Sequence, residues 1–113
     1  MLTQARNDNE KTVMGILSLL PGLRELQHLN AEIAWYNDRD TRRLYIWRGE
    51  EQAQGVLGVE FLKKDIVLIR HLALTPEARS ASHYFAMLTE FQKQNPDVFL
   101  MGTLDNQKLI NKW

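Results

Sequence analysis

Apolar and polar positions follow two different periods along this chain. Residues 66–74, Ile66-Val67-Leu68-Ile69-Arg70-His71-Leu72-Ala73-Leu74, form a nearly continuous apolar run rich in β-branched and aliphatic side chains. Thr75-Pro76 closes it, so the run predicts a buried strand. Tyr84, Met87, Leu88 and Phe91 then recur at i, i+3, i+4 and i+7, which is one face of a helix over Ser82–Gln94. The central unit is therefore strand, short loop, helix. The first N–H groups of such a helix face whatever lies beyond the strand end, a physically reasonable seat for an anion such as a phosphate.

The rest of the chain is read around that unit. Met1–Arg6 is too short for a firm pattern. Val13, Ile16, Leu17 and Leu20 predict an amphipathic helix over Glu10–Leu20, which Pro21-Gly22 ends. Leu26, Leu29, Ile33 and Tyr36 predict a second helix from about Leu23 to Tyr36. A charged loop, Asn37–Arg42, leads into a strand at Leu44–Trp47. A hairpin then returns as a strand over Ala53–Phe61, which Gly55 and Gly58 interrupt. Glycine inside a strand marks a bulge or a close backbone approach. These two strands and Ile66–Leu74 form an antiparallel meander. After Asn95-Pro96-Asp97, the apolar run Val98–Met101 predicts a further strand, and a right-handed crossover lays it parallel to Ile66–Leu74. One short helix at most follows, over Asp105–Trp113.

Composition narrows the function classes. A chain of 113 residues with 44% hydrophobic and 25% charged residues matches one ordinary globular domain spanning 1–113. Lys+Arg and Asp+Glu both number 14, so charge gives no reason to expect nucleic acid or an anionic membrane as partner. The chain has no cysteine, which excludes thiolate chemistry and fits a reducing cytoplasm. His28, His71 and His83 lack a ligand spacing, so no metal is expected. No Walker loop or dinucleotide fingerprint is present.

Arg70-His71-Leu72-Ala73-Leu74-Thr75-Pro76-Glu77-Ala78-Arg79, followed by an amphipathic helix, resembles the acyl-CoA-binding strand–loop–helix of the GNAT acetyltransferase superfamily. Met14-Gly15-Ile16-Leu17-Ser18, Leu44-Tyr45-Ile46-Trp47 and Gly55-Val56-Leu57-Gly58-Val59-Glu60 extend the resemblance over most of the chain. Within the superfamily the order of these segments is most similar to the RibT-type proteins of bacterial riboflavin operons. The resemblance implies an α/β (α+β) GNAT-like acyl-CoA N-acyltransferase fold. Its sheet is mixed, an antiparallel meander plus one parallel strand, with helices on both faces and Met1–Arg6 as the first strand. The superfamily continues with further strands where this chain stops, so the expected domain is C-terminally truncated. This leaves either an unpaired sheet edge or an unfilled groove, and predicts a homodimer in which a partner covers that surface.

The resemblance also assigns roles. Acetyl-CoA is the implied co-substrate, with the backbone of Leu72, Ala73 and Leu74 pairing with the pantetheine amides. The N–H groups of Ser80, Ala81, Ser82, His83 and Tyr84 face the pyrophosphate, and Arg79 adds charge nearby. The superfamily signature Gln/Arg-x-x-Gly-x-Gly/Ala reads here as Arg79-Ser80-Ala81-Ser82-His83-Tyr84, so Ser82 and Tyr84 replace small residues. A Tyr84 ring over the amides would close the site.

Acetyl transfer to an amine also needs a base. Glu60 is the one carboxylate in an apolar strand, and its competing reading is an ion pair with Arg70. His71 has a suitable intrinsic pKa, and its competing reading is a structural hydrogen-bonding residue. A general acid is harder to find: Leu109 and Ile110 stand where many members of the superfamily carry a tyrosine, and Tyr45 or Tyr84 could serve only in a geometry that differs from the family's. Two functions stay open: an acyl-CoA-dependent N-acetyltransferase acting on an amine, and a GNAT-like domain without acetyl-CoA binding that serves as a ligand-binding or protein-interaction module.

Overall fold

The computed structural model describes residues 1–113. The chain runs β1 (Leu2–Gln4), α1 (Glu10–Leu17), α2 (Leu26–Asn37), β2 (Arg42–Arg48), β3 (Ala53–Lys63), β4 (Ile66–Leu74), α3 (Ala81–Gln94), β5 (Phe99–Gly102) and α4 (Leu104–Lys112). The five strands form one sheet in the order β1-β2-β3-β4-β5. All neighbours are antiparallel except β4 and β5, which are parallel as the crossover through α3 requires. No helix is long and apolar enough to cross a membrane.

Helix boundaries moved where a proline intervenes. The apolar period carries past Leu17, but α1 stops there, and Pro21–Leu23 forms a separate single turn of 3-10 helix before α2 begins at Leu26. Proline has no N–H to donate and cannot continue a helix, yet its fixed φ starts one well. Leu23 remains buried although it lies outside α2. At the other end of α2, Arg42 and Arg43 belong to β2 rather than to a loop, because their backbone pairs with Glu60 and Val59 of β3.

The sheet separates two cores. On one face, α3 lays Met87, Leu88 and Phe91 against Tyr45, Leu57, Val59, Val67, Ile69, Leu72 and Leu74, and Ile110 of α4 joins them. On the other face, α1 and α2 lay Val13, Ile16, Leu17, Leu29, Ile33 and Tyr36 against Leu44, Ile46, Val56 and Ala73.

One irregularity decides the chemistry of the second face. Gly58 stands opposite His71 and Val59 opposite Ile69, which leaves Arg70 as the extra residue of a β-bulge. Side chains alternate along a regular strand, and the bulge shifts that alternation by one. Before it, Val67 and Ile69 face α3; after it, Leu72 and Leu74 do. Arg70 and His71 therefore both turn towards α2, where Arg70 stacks on Trp35 and His71 meets Tyr36.

Candidate functional site

A second consequence lies at the β5 side of β4. The parallel ladder covers only Ile66–Ile69 against Phe99–Gly102, and then the two strands part. The N–H of Thr103 still reaches the Ile69 carbonyl at 3.3 Å. Beyond that the side-chain amide of Asn106, in the first turn of α4, takes over: Nδ2 donates to the carbonyls of Ile69 (3.3 Å) and Arg70 (3.1 Å). Farther along, Thr75 donates its N–H to Gln54 on the β3 side. By alternation Leu72 and Leu74 present their backbone groups to the open side, where no strand pairs with them. Arg79 reaches back and donates to the Leu74 carbonyl at 3.2 Å, leaving the Leu72 groups as the unpaired pair nearest the bulge.

The gap between β4 and α4 opens into a cleft of about 650 Å³. Glu32 of α2, Arg70, His71 and Leu72 of β4, and Asp105 and Asn106 of α4 line it, with Leu20–Leu23 as its apolar rim. His71 Nδ1 lies 2.5 Å from the Tyr36 hydroxyl, and its Nε2 lies 3.8 Å from Glu32 Oε2. That Glu32 oxygen is buried and accepts no hydrogen bond. Burial pushes the His71 pKa below its ordinary value, more than the Glu32 carboxylate restores, so the ring is neutral at pH 7. Burial likewise raises the Tyr36 pKa far above the ordinary phenol range, against the opposing pull of Arg70. The phenol is therefore always protonated.

Gly58 makes the Tyr36–His71 contact possible. It pairs with His71 on the α2 face, and a Cβ there would run into the Tyr36 hydroxyl and sit 2.7 Å from its Cζ. The glycine in β3 is thus a close approach, between a tyrosine ring and the strand beneath it.

The other expected site residues fall into three groups. Glu60 shares the α2 face but pairs with Arg70 at 3.5 Å and does not line the cleft. Arg70 is held further by its guanidinium lying 4.3 Å from the Trp35 ring centroid. Leu72, Ala73 and Leu74 are buried through their side chains, so only their backbone is offered to a ligand. At the start of α3, Ser80 caps the helix by accepting from His83 N–H at 3.4 Å, and its hydroxyl meets that of Ser82 at 3.0 Å. The N–H groups of Ala81 and Ser82 have no partner within the chain, and both residues are exposed. Tyr84 is partly buried and packs against the α3-side core that includes Met87 and Leu88. Tyr45 is buried in the same core, edge-on to Phe91, on the opposite face from the cleft.

Glu32, Tyr36 and Asn106 did not stand out in the sequence. Glu32 and Tyr36 are four residues apart, hence neighbours on one helix face. A carboxylate four residues before a tyrosine in an apolar stripe is the one local signal that pairs them. Asn106 gives none, since its role depends on two carbonyls far away in sequence.

No family model matches the chain. A curated protein of Bacillus methanolicus, named as an uncharacterised N-acetyltransferase in the lysA 3′ region, is 28% identical over 112 residues, covering 99% of this chain and 93% of that protein. Among solved structures, an aminoglycoside N-acetyltransferase, AAC(6′)-Iy in complex with CoA, superposes with a TM-score of 0.71 at 13% identity, over 99% of this chain and 82% of that one. A GNAT family acetyltransferase of Staphylococcus aureus superposes with a TM-score of 0.68 at 13% identity, over 90% of this chain and 83% of that one.

Proposed function

The chain carries the fold of the GNAT acetyltransferase superfamily, and from that premise we propose that it is an acyl-CoA-dependent N-acetyltransferase. The observation that carries the reading is the open backbone edge of β4 at Leu72–Leu74 running directly into a cleft that holds Glu32 and His71. A thioester laid along that edge would place its carbonyl beside the free Leu72 N–H, which can donate to the oxygen as charge develops there. The acceptor amine arrives as an ammonium ion and must lose a proton before it attacks, and Glu32 and His71 are the groups at hand.

The fit to acetyl-CoA rests on this chain's own groups. The Ala81 and Ser82 amides point outward at the start of a 14-residue helix and suit a pyrophosphate. Tyr84 packs against the α3-side core, which supports leaving those amides open to a ligand. The Bacillus methanolicus relative is named an N-acetyltransferase, and the AAC(6′)-Iy structure contains CoA, which supports the same co-substrate here. Titration calorimetry with acetyl-CoA is expected to give micromolar affinity. A folded protein that releases no heat at millimolar acetyl-CoA would overturn the enzyme reading in favour of the ligand-binding or interaction module.

Within the superfamily our reading is the RibT type, acting in the cytoplasm on an amine whose identity is open. We also read the protein as a homodimer. β5 is an edge strand, and Phe99 is 68% and Met101 38% exposed beside it. Light scattering at micromolar concentration is expected to give twice the chain mass, and a monomeric mass would refute the dimer.

A further inference from the structure

The His71 ring and the Glu32 carboxylate line the cleft and face each other, and behind them the buried Tyr36 hydroxyl meets the His71 ring. We infer that Tyr36 is a positioning residue that fixes the His71 tautomer, so that His71 holds its proton on Nε2 towards Glu32 and Glu32 is the proton acceptor of the cleft.

Tyr36 is 2% exposed and cannot turn its hydroxyl to solvent. The groups facing it are Glu32 on its own helix, Glu60 on β3, and Arg70 and His71 on β4. Arg70 stands beside the phenol as a cation. A guanidinium can only donate, so it offers no acceptor for the phenol's own proton. The acceptor within hydrogen-bond distance of that proton is His71 Nδ1, at 2.5 Å. An accepting Nδ1 is unprotonated, and a neutral imidazole then carries its single proton on Nε2. Nε2 points to Glu32 Oε2 at 3.8 Å, an electrostatic contact rather than a hydrogen bond.

The consequence is a division of labour. With Nδ1 engaged by Tyr36 and Nε2 already protonated, the neutral ring has no free lone pair for an incoming ammonium ion. Glu32 has one, on a side chain that lines the cleft and is 34% exposed. Gly58 belongs to the same device, because only a residue without a Cβ lets the phenol cross β3 to reach Nδ1.

The catalytic part of this inference rests on the acetyltransferase reading, whereas the tautomer does not, and the test separates them. Long-range ¹H–¹⁵N correlation spectra of the labelled protein report which ring nitrogen of His71 carries the proton. The wild-type spectrum is expected to show Nε2–H alone at neutral pH. In Tyr36→Phe, Nδ1 loses its donor, the neutral ring is less stabilised, and the His71 titration midpoint is expected to rise. A wild-type ring protonated on Nδ1, or a Tyr36→Phe midpoint equal to wild type, would overturn the inference. If Tyr36→Phe fails to fold, the wild-type spectrum still decides the tautomer. With an acetylated amine in hand, Tyr36→Phe is expected to lower kcat and shift its pH profile while KM for acetyl-CoA holds, and an unmoved pH profile counts against the positioning role. If the protein acetylates no amine, the enzyme reading fails while the tautomer result stands.

Discussion

Replacing Glu32 with Gln lowers kcat for amine acetylation by about 10²–10⁴-fold, the range for loss of a positioned proton acceptor. Gln keeps the size of the side chain and removes only its ability to take a proton. The proposed acetyl-CoA contacts lie on β4 and at the start of α3, so acetyl-CoA affinity is expected to stay within about twofold of wild type, since nothing in that surface changes. Steady-state kinetics on the acetylated amine, paired with calorimetry, read both quantities. A Glu32→Gln variant of undiminished turnover would remove Glu32 from the mechanism. The rate also carries a pH signature. An ammonium acceptor must be deprotonated in the cleft, so turnover rises with pH on its acid side. Stability moves in the same direction. Burial holds the folded His71 pKa below its unfolded value, so the unfolded chain takes up the proton first. Stability is therefore full above the unfolded pKa of about 6.5 and declines as pH falls from there to the folded pKa.

The largest effect on stability is expected at Phe91, where Phe91→Ala costs about 3–5 kcal/mol. Phe91 is fully buried on α3 and meets Tyr45 edge-on, with centroids 5.4 Å apart, and Phe61 at 6.3 Å. It touches β2 through one ring and β3 through the other, so truncation removes apolar contact on two strands at once. The flanking residues are themselves held by the sheet and cannot collapse into the space. Urea unfolding with an unchanged slope and a lower midpoint is the expected result. A loss below about 1 kcal/mol would mean that the α3-side core repacks freely around the vacated volume. Phe91 lies near the C-terminal end of α3, about three turns from the Ala81 and Ser82 amides. At temperatures where the variant is folded, its acetyl-CoA affinity is therefore expected to follow wild type.

The long elements were legible because their patterns are local. The Ile66–Leu74 run has the same boundaries in the structure as in the sequence. The Tyr84, Met87, Leu88, Phe91 stripe faces the core as its spacing required. Proline placed the end of the first helix only roughly, since a period can run on through a turn that the backbone does not follow. The strand–loop–helix from Leu72 through Ser82, on which the proposed backbone site rests, was legible by resemblance, because such a unit places main-chain groups without regard to most side chains. The Tyr84 ring was not, because whether an aromatic at a helix start covers the amides or enters the core depends on what the sheet offers beneath it.

The proposed acid–base centre belongs to the tertiary structure. Gly58 announced a close approach from within its strand, but not that a tyrosine from α2 would be the partner. The bulge at Arg70 leaves no mark in the apolar run, yet it turns Arg70 and His71 to the same face. Glu32 comes from α2, His71 from β4 and Asn106 from α4, and no spacing along the chain relates them. Sequence by itself determined the periods, and through them which faces are buried, because burial is decided residue by residue against solvent. Which polar groups meet across those faces was decided only when the register of β3 on β4 and the parting of β4 from β5 were set. Hydrogen bonds are directional and short, and one residue of register decides whether a donor finds its acceptor.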